Sequence, residues 1–382
     1  MIKVIFWFSL IIIFYIYFGY PIFLIILSQI RNQPIKKSEI TPKVSIIITA
    51  YNEEKLIAKK IENTLSLNYP KDKLEIIVVS DGSLDKTNEI VKRYKRQGVR
   101  LIELKHRRGK TAAQNEACKQ VKGEINLFTD VTAIYKPDVI HKLVRNFSDN
   151  KVGCVTGKVL FATKDMGSIE RGLTLRQKYE LYFRNIQSKV HSLSFTSGCI
   201  CAIRRKLCES LPEDLVSDLA MPLKIIEKKY KVIYEPEAVA IIERPLRMID
   251  EFNRRVRIVA QSLYGLLYMR RLLNPFRYGF LFFLSILHRI LRWLVPWFLI
   301  IIFTTNIFMC KINLYMWLFL LQIIFYMLAL IGLLLERKET KVKTNAFFYL
   351  PLYFCVVNSA ALVGLIKTIL GKKFQIWEPV SR

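Results

Sequence analysis

The sequence predicts an α/β domain with a mostly parallel central sheet, flanked by one N-terminal and about three C-terminal transmembrane helices plus interfacial helices. Three observations predict it. Short, β-branched apolar runs alternate with segments whose apolar residues recur every three or four positions. Long stretches without a charged side chain lie on both sides of that region. Three acids, Asp81, Asp130 and Asp218, each close an apolar run or sit just past one, and carboxyl ends of buried parallel strands are where open α/β sheets bind ligands.

The first element is a span. Val4 to Ile30 holds 27 residues without a charge, and about 20 apolar residues cross a bilayer core. The stretch is too long for a cleaved signal peptide and no small-residue cleavage site follows it, so residues 1–30 read as a retained anchor. Residues 31–275 form the globular domain. Within it VSIIITA, LEIIVVS, VRLIEL and INLFTD have the continuous apolar character of strands buried on both faces. Between them KLIAKKIENTLSL, KTNEIVKRYKRQ and KTAAQNEACKQV carry helical spacing, and such β-α-β-α order builds parallel strands with right-handed crossovers.

Phe276–Arg292 carries Arg277, His288 and Arg289 among aromatics and reads as a helix lying on the membrane surface over 276–292. Residues 293–370 hold three further uncharged stretches: Trp293–Cys310, Ile312–Leu335 and Thr344–Ile366, of 18, 24 and 23 residues. As buried helices of a soluble protein they would need a core larger than this chain can build. Residues 371–382 are a tail. The basic domain and the loop with Arg337, Lys338, Lys341 and Lys343 both favour the cytoplasmic side. Four alternating spans then place Lys372 and Lys373 outside; either the tail breaks the rule or Thr344–Ile366 is re-entrant.

The chain has 382 residues, 52% of them hydrophobic, and a formal net charge of +28. Residues 31–275 account for +18 of it, from 46 Lys/Arg against 28 Asp/Glu. A basic surface beside membrane spans suits anionic headgroups and a negatively charged nucleotide substrate. No basic helix, zinc finger or aromatic RNA motif points to nucleic acid. The seven cysteines are odd in number and include no C-x-x-C pair, so free thiols in a reducing compartment are expected rather than a disulfide framework or zinc site. Four scattered histidines support neither a His-based metal site nor a Ser-His-Asp arrangement. No G-x-G-x-x-G or Walker A motif is present.

KVSIIITAYNEE, VVSDGSLDKT, RRGKTAAQNEA, LFTDVTA, SGCICAIRR, VSDLAMPLKIIEKKYKVIYEPEAVA and RRVRI follow one another in this order. Together they resemble the family 2 glycosyltransferases of GT-A fold, from about Pro42 to Arg257. The spans around them resemble the family's membrane-integrated polysaccharide-synthase branch. The resemblance implies a GT-A nucleotide-sugar-binding domain and transfer from an NDP-sugar, UDP-linked, to a glycan or lipid-linked acceptor.

The resemblance also implies residue roles. Ala50-Tyr51-Asn52-Glu53 and Asp81 would hold the base and ribose; a carboxylate suits because uracil N3–H and ribose hydroxyls are donors. By itself SDGS is also an ordinary turn sequence. Lys110 resembles the family's lysine near the base and diphosphate; a solvated lysine at a helix start is the plainer reading. The metal motif D-x-D stands here as Asp130-Val131-Thr132, with Thr132 in the second acid's place, and implies Mg2+ or Mn2+ on the diphosphate.

Asp218 matches the family's general base, with Ser217 in the preceding acid's slot; Glu213 and Asp214 are nearby alternatives, and Asp218 is also a good N-cap type. Arg254 and Arg257 fall where processive members have Q-x-x-R-W and can pair with a diphosphate, with Ile258 in the tryptophan's place; a basic helix against headgroups is the alternative. Gly198 resembles the glycine loop near the acceptor pocket. RGLTLRQKYELYFRNIQSKV reads as interfacial packing.

The function expected is that of an inverting glycosyltransferase of the cell membrane, multi-pass, with its catalytic domain cytoplasmic. A polyprenyl-phosphate glycosyltransferase is the nearest alternative. A transporter with a degenerate nucleotide-sensing domain is remote, because the uncharged spans offer no ionisable residue for it.

Overall fold

In the computed structural model, which describes residues 1–162, 175–243, 248–338 and 346–371, helix α1 (Ile2–Phe14) passes through a π-turn at Tyr15–Gly19 into α2 (Tyr20–Ile30). Then come β1 (Val44–Ala50), α3 (Ile57–Leu65), β2 (Leu74–Ser80), α4 (Thr87–Arg93), β3 (Val99–Glu103), α5 (Lys110–Gln120) and β4 (Ile125–Asp130). These are the four strands and three helices that apolar patterning predicts. The second half adds β5 (Ile134–Tyr135), α6 (Val139–Val144), β6 (Val152–Ala162), α7 (Leu175–Val190), β7 (Cys201–Arg204), α8 (Ser217–Glu227) and β8 (Lys231–Glu243).

All eight strands share one sheet, ordered β3-β2-β1-β4-β7-β6-β8-β5. The β3-β2-β1-β4 half is parallel throughout and β6 runs parallel to β8, whereas β7 is antiparallel to both its neighbours and β5 to β8. Ile46, Ile47, Ile48, Ile77 and Val78 are fully buried, as strands covered on both faces require. The chain leaves β1 toward β2 on one side and returns as β4 on the other. That reversal opens a crevice at the carboxyl ends. The register sets Ala50 level with Ser80 and Thr49 level with Asp130, so the ends of three strands finish together at the crevice.

The chain divides into two compact units. The sheet unit is mainly Leu24–Arg244 with Gly265–Ser285. The helical unit takes Met1–Phe23, Pro245–Tyr264 and Ile286–Lys373. Its helices include most of α9 (Met248–Tyr268) and, after α10 (Pro275–Leu281), α11 (His288–Met309), α12 (Asn313–Lys338) and α13 (Ala346–Ile369). Within it Phe6 of α1 is buried with Ile302, Met309 and Tyr315, and the Trp7 indole donates to the Tyr315 hydroxyl at 3.1 Å.

Among the described residues, four helices are long and apolar enough to cross a membrane: Ile2–Ile30, Phe282–Met309, Asn313–Glu336 and Phe347–Ile369. The single surface helix expected over 276–292 is instead two pieces. Gly279, at φ 33°, breaks α10, and from Phe282 the chain runs without interruption into Met309. The apolar run Phe282–Leu287 carries the helix past Arg289 and Arg292. Lys341, Lys343 and the tail from 372 lie outside the described residues.

The cysteine expectation needs a correction. Cys118 on α5 and Cys208 form a disulfide across a sequence separation of 90, while Cys154, Cys199, Cys201, Cys310 and Cys355 are thiols. Count and spacing carry no trace of a pair made by α5 packing against the segment after β7.

Candidate functional site

The loops leaving β1 and β2 are locked to each other. Ala50 carbonyl accepts from the Asp81 amide at 2.8 Å. Asn52, at φ 50°, donates its amide to Ser83 Oγ at 3.1 Å and accepts from the Leu84 amide at 2.8 Å. The Glu53 amide donates to Thr87 Oγ1 at 2.8 Å. Tyr51 lies with its ring 3.8 Å from the Arg107 guanidinium, a cation–π contact.

Asp81 is buried, and its two carboxylate oxygens accept from the backbone amides of Arg108 and Gly109, each at 2.8 Å. These amides lead into α5, whose first-turn donors have no partners within the helix. Asp81 therefore fixes where α5 begins, and so where Lys110, its first residue, is presented. Next to Asp81, Gly82 takes φ 67°, and a Cβ there would lie 2.7 Å from the Arg107 backbone nitrogen.

Lys110 Nζ donates to Asp130 Oδ1 at 2.6 Å. The same amine meets Asp218 over Gly198: a Cβ on that glycine would stand 2.4 Å from Lys110 Nζ and 2.7 Å from both Asp218 carboxylate oxygens. Burial works to lower the Lys110 pKa, but the charges of Asp130 and then Asp218 outweigh it and push it up. Asp218 is displaced upward, first by burial and then by Asp130, against Lys110, the Gly198 amide that donates to it, and Arg184. It does not cap its own helix: Val216 is the N-cap of α8, without a side-chain cap. Cys199 Sγ donates to Asp130 Oδ2 at 3.4 Å, and burial with the Asp130 charge pushes that thiol up.

Thus Lys110, Asp130 and Asp218 converge, and Asp81 is tied to them through the start of α5. Glu213 is exposed and ion-paired with Arg108. Arg254 and Arg257 lie on α9 in the helical unit, where Arg254 donates to Glu251 from Nε at 2.9 Å and Nη2 at 2.5 Å. Sequence reasoning misses three groups around the acids: Cys199, Arg184 of α7, whose charge reaches Asp218, and the buried Lys60. Lys60 leaves a trace, since it shares the buried stripe of the helix with Ile57, Ile61 and Thr64.

Residues 45–211 match the model of Glycosyl transferase family 2, and residues 130–333, more than half of the chain, match Glycosyl transferase family group 2. The chain belongs to the family 2 glycosyltransferases. Among its relatives, the poly-beta-1,6-N-acetyl-D-glucosamine synthase of Staphylococcus epidermidis is 26% identical over 223 residues, covering 56% of this chain and 53% of the relative. The probable glycosyltransferase YdaM of Bacillus subtilis is 28% identical over 217 residues, covering 53% of this chain and 51% of that protein. The chain spans about half the length of these curated relatives. The mannosyltransferase PcManGT from Pyrobaculum calidifontis, solved in complex with GDP-Man and Mn2+, superposes with a TM-score of 0.74 at 21% identity, covering 98% of this chain and 100% of that one. At that identity the likeness is one of fold.

Proposed function

We propose that this family 2 enzyme is a membrane-integrated, inverting glycosyltransferase. In this reading it moves a sugar from an NDP-sugar, UDP-linked, to a glycan or glycolipid acceptor at the inner face of the cell membrane. One observation carries the reading: the Lys110 amine pairs with Asp130 and meets the Asp218 carboxylate on the space over Gly198.

Asp218 acts as the base. The acceptor oxygen attacks the anomeric carbon as its proton passes to an Asp218 carboxylate oxygen, the bond from that carbon to the diphosphate oxygen breaks, and the configuration inverts. A carboxylate with a raised pKa suits the task, because a base is most effective when its pKa approaches the working pH. Lys110 pairs with the diphosphate, and the loops at Ala50–Glu53 and Asp81 receive the nucleoside.

A divalent cation, Mg2+ or Mn2+, fits the donor set. Asp130 already carries a cation on Oδ1, the Lys110 ammonium. Among the described residues no group of three or more His, Cys, Asp or Glu side chains could hold a metal. Asp130 would then hold the ion with substrate phosphates completing its shell, an arrangement magnesium favours. When bound, the ion would neutralise the diphosphate leaving group.

Arg184 favours a second acceptor, a polyprenyl phosphate. Its guanidinium feels the charges of Glu180 and Asp218 and lies over the Tyr234 ring, and a cation in reach of the base can receive an anionic acceptor. The deciding experiment incubates purified membranes with radiolabelled NDP-sugars and Mg2+ or Mn2+, with and without added polyprenyl phosphate. Label entering polymer or glycolipid supports the first reading. Label entering only the added lipid phosphate supports the second, and incorporation from no NDP-sugar refutes both.

A further inference from the structure

Lys60, on α3, is completely buried. Its amine donates to Thr129 Oγ1 at 2.9 Å and to the Ala133 carbonyl at 2.5 Å, and lies 3.9 Å from the centroid of the Tyr135 ring. Three partners match the three donors of an ammonium. Thr129 precedes Asp130, and Ala133 closes the turn by donating its amide to the Asp130 carbonyl at 3.2 Å. The lysine therefore clamps both ends of the segment that presents Asp130.

The network continues beneath the second acid. The Thr129 hydroxyl donates to the Cys199 carbonyl at 3.1 Å, and the Tyr135 hydroxyl donates to that same oxygen at 2.8 Å. Cys199 in turn donates its thiol to Asp130, and its neighbour Gly198 donates its amide to Asp218. Burying an amine is costly, and an apolar side chain of the same length would fill this space more cheaply. Burial draws Lys60 down to about 7, against the opposing pull of Asp130 and Cys199.

We propose that Lys60 is a positioning residue for Asp130: it holds the Asp130–Ala133 turn from behind, and its charge weakens the grip of that carboxylate on a divalent cation, so that the ion leaves with the diphosphate. The proposal rests on the reading of Asp130 as the cation-facing acid. A purely structural lysine makes the opposite prediction, since losing it would disorder the turn and weaken cation binding.

The test measures Mn2+ binding to the purified full chain in detergent with UDP present, from the electron paramagnetic resonance signal of free Mn2+, against a protein-free Mn2+–UDP control. Wild type is compared with Lys60→Gln, which offers an uncharged NH2 group one bond short of the ammonium, and with Lys60→Met. Lys60 bonds Thr129, the neighbour of Asp130, and removing its charge predicts binding about tenfold tighter in both variants at a pH below 7, where the amine is protonated. Unchanged or weaker binding in a folded variant overturns the proposal; should Lys60→Met fail to fold, Lys60→Gln decides. Absence of Mn2+ binding beyond the Mn2+–UDP control in all three proteins also overturns it. Transfer that then survives EDTA removes the cation from the reaction as well, whereas EDTA-sensitive transfer leaves that reading standing.

Discussion

Replacing Gly198 with alanine adds one methyl group at the point where Lys110 and Asp218 meet. The new Cβ would lie 2.4 Å from Lys110 Nζ and 2.7 Å from each Asp218 oxygen. Ordinary contact is about 3.5 Å, so the amine must retreat by about 1 Å and the carboxylate by almost as much. Displacements of about 1 Å in a reacting group lower rates by roughly a hundredfold. Gly198 is not among the positive-φ glycines, so alanine suits its backbone, and the stability cost is that of displacing the two side-chain ends, about 1–3 kcal/mol. No ionisable group is altered. The assay compares sugar incorporation by membranes holding equal amounts of wild type and Gly198→Ala, with thermal unfolding of both. A loss of about a hundredfold or more with the fold intact is expected. Wild-type turnover would refute the view that Lys110 and Asp218 work in this shared space.

Acid should limit the reaction earlier than an ordinary aspartate would. Asp218 must be ionised to accept a proton, and its pKa is raised by burial and Asp130, so transfer falls as pH drops through that raised value. Lys110 lowers the Asp218 pKa, and Lys110→Met should therefore move the acid limb of the rate profile to higher pH; an unmoved limb argues against Asp218 as the titrating base. Asp81→Asn puts an NH2 group opposite one of the two amides that Asp81 now accepts from. Leaving the Arg108 or Gly109 amide unpaired should cost about 1–3 kcal/mol, seen as a lower midpoint in denaturant with weaker nucleotide binding, and an unchanged midpoint contradicts the clasp.

The first half of the sheet is legible because its strands are buried on both faces and its helices keep one apolar stripe each. Ile46, Ile47 and Ile48 announce β1 without ambiguity. The second half is not, because β7 is only four residues long and β5 two, and such pieces are strands only because longer neighbours pair with them. Asp130 and Asp218 are visible as acids at the ends of apolar segments. Asp81 is visible too, but what it holds is not: its partners are backbone amides 27 and 28 residues away, and amides have no sequence signature. Lys60 escapes for a related reason. A lysine among KLIAKKIENTLSL looks solvated until β4, the turn after it and β5 supply a hydroxyl, a carbonyl and a ring behind it. The Cys118–Cys208 pair likewise comes from packing that no spacing rule encodes.

Asp218→Asn tests the account most directly, because it keeps the size of the side chain and removes only its ability to take a proton. Single-turnover transfer from a radiolabelled NDP-sugar to the membrane acceptor should fall by about 10²–10⁴-fold, while binding of the same NDP-sugar stays within a few-fold of wild type. Undiminished transfer to a hydroxyl acceptor would contradict the assignment and move the base elsewhere, first to Asp214.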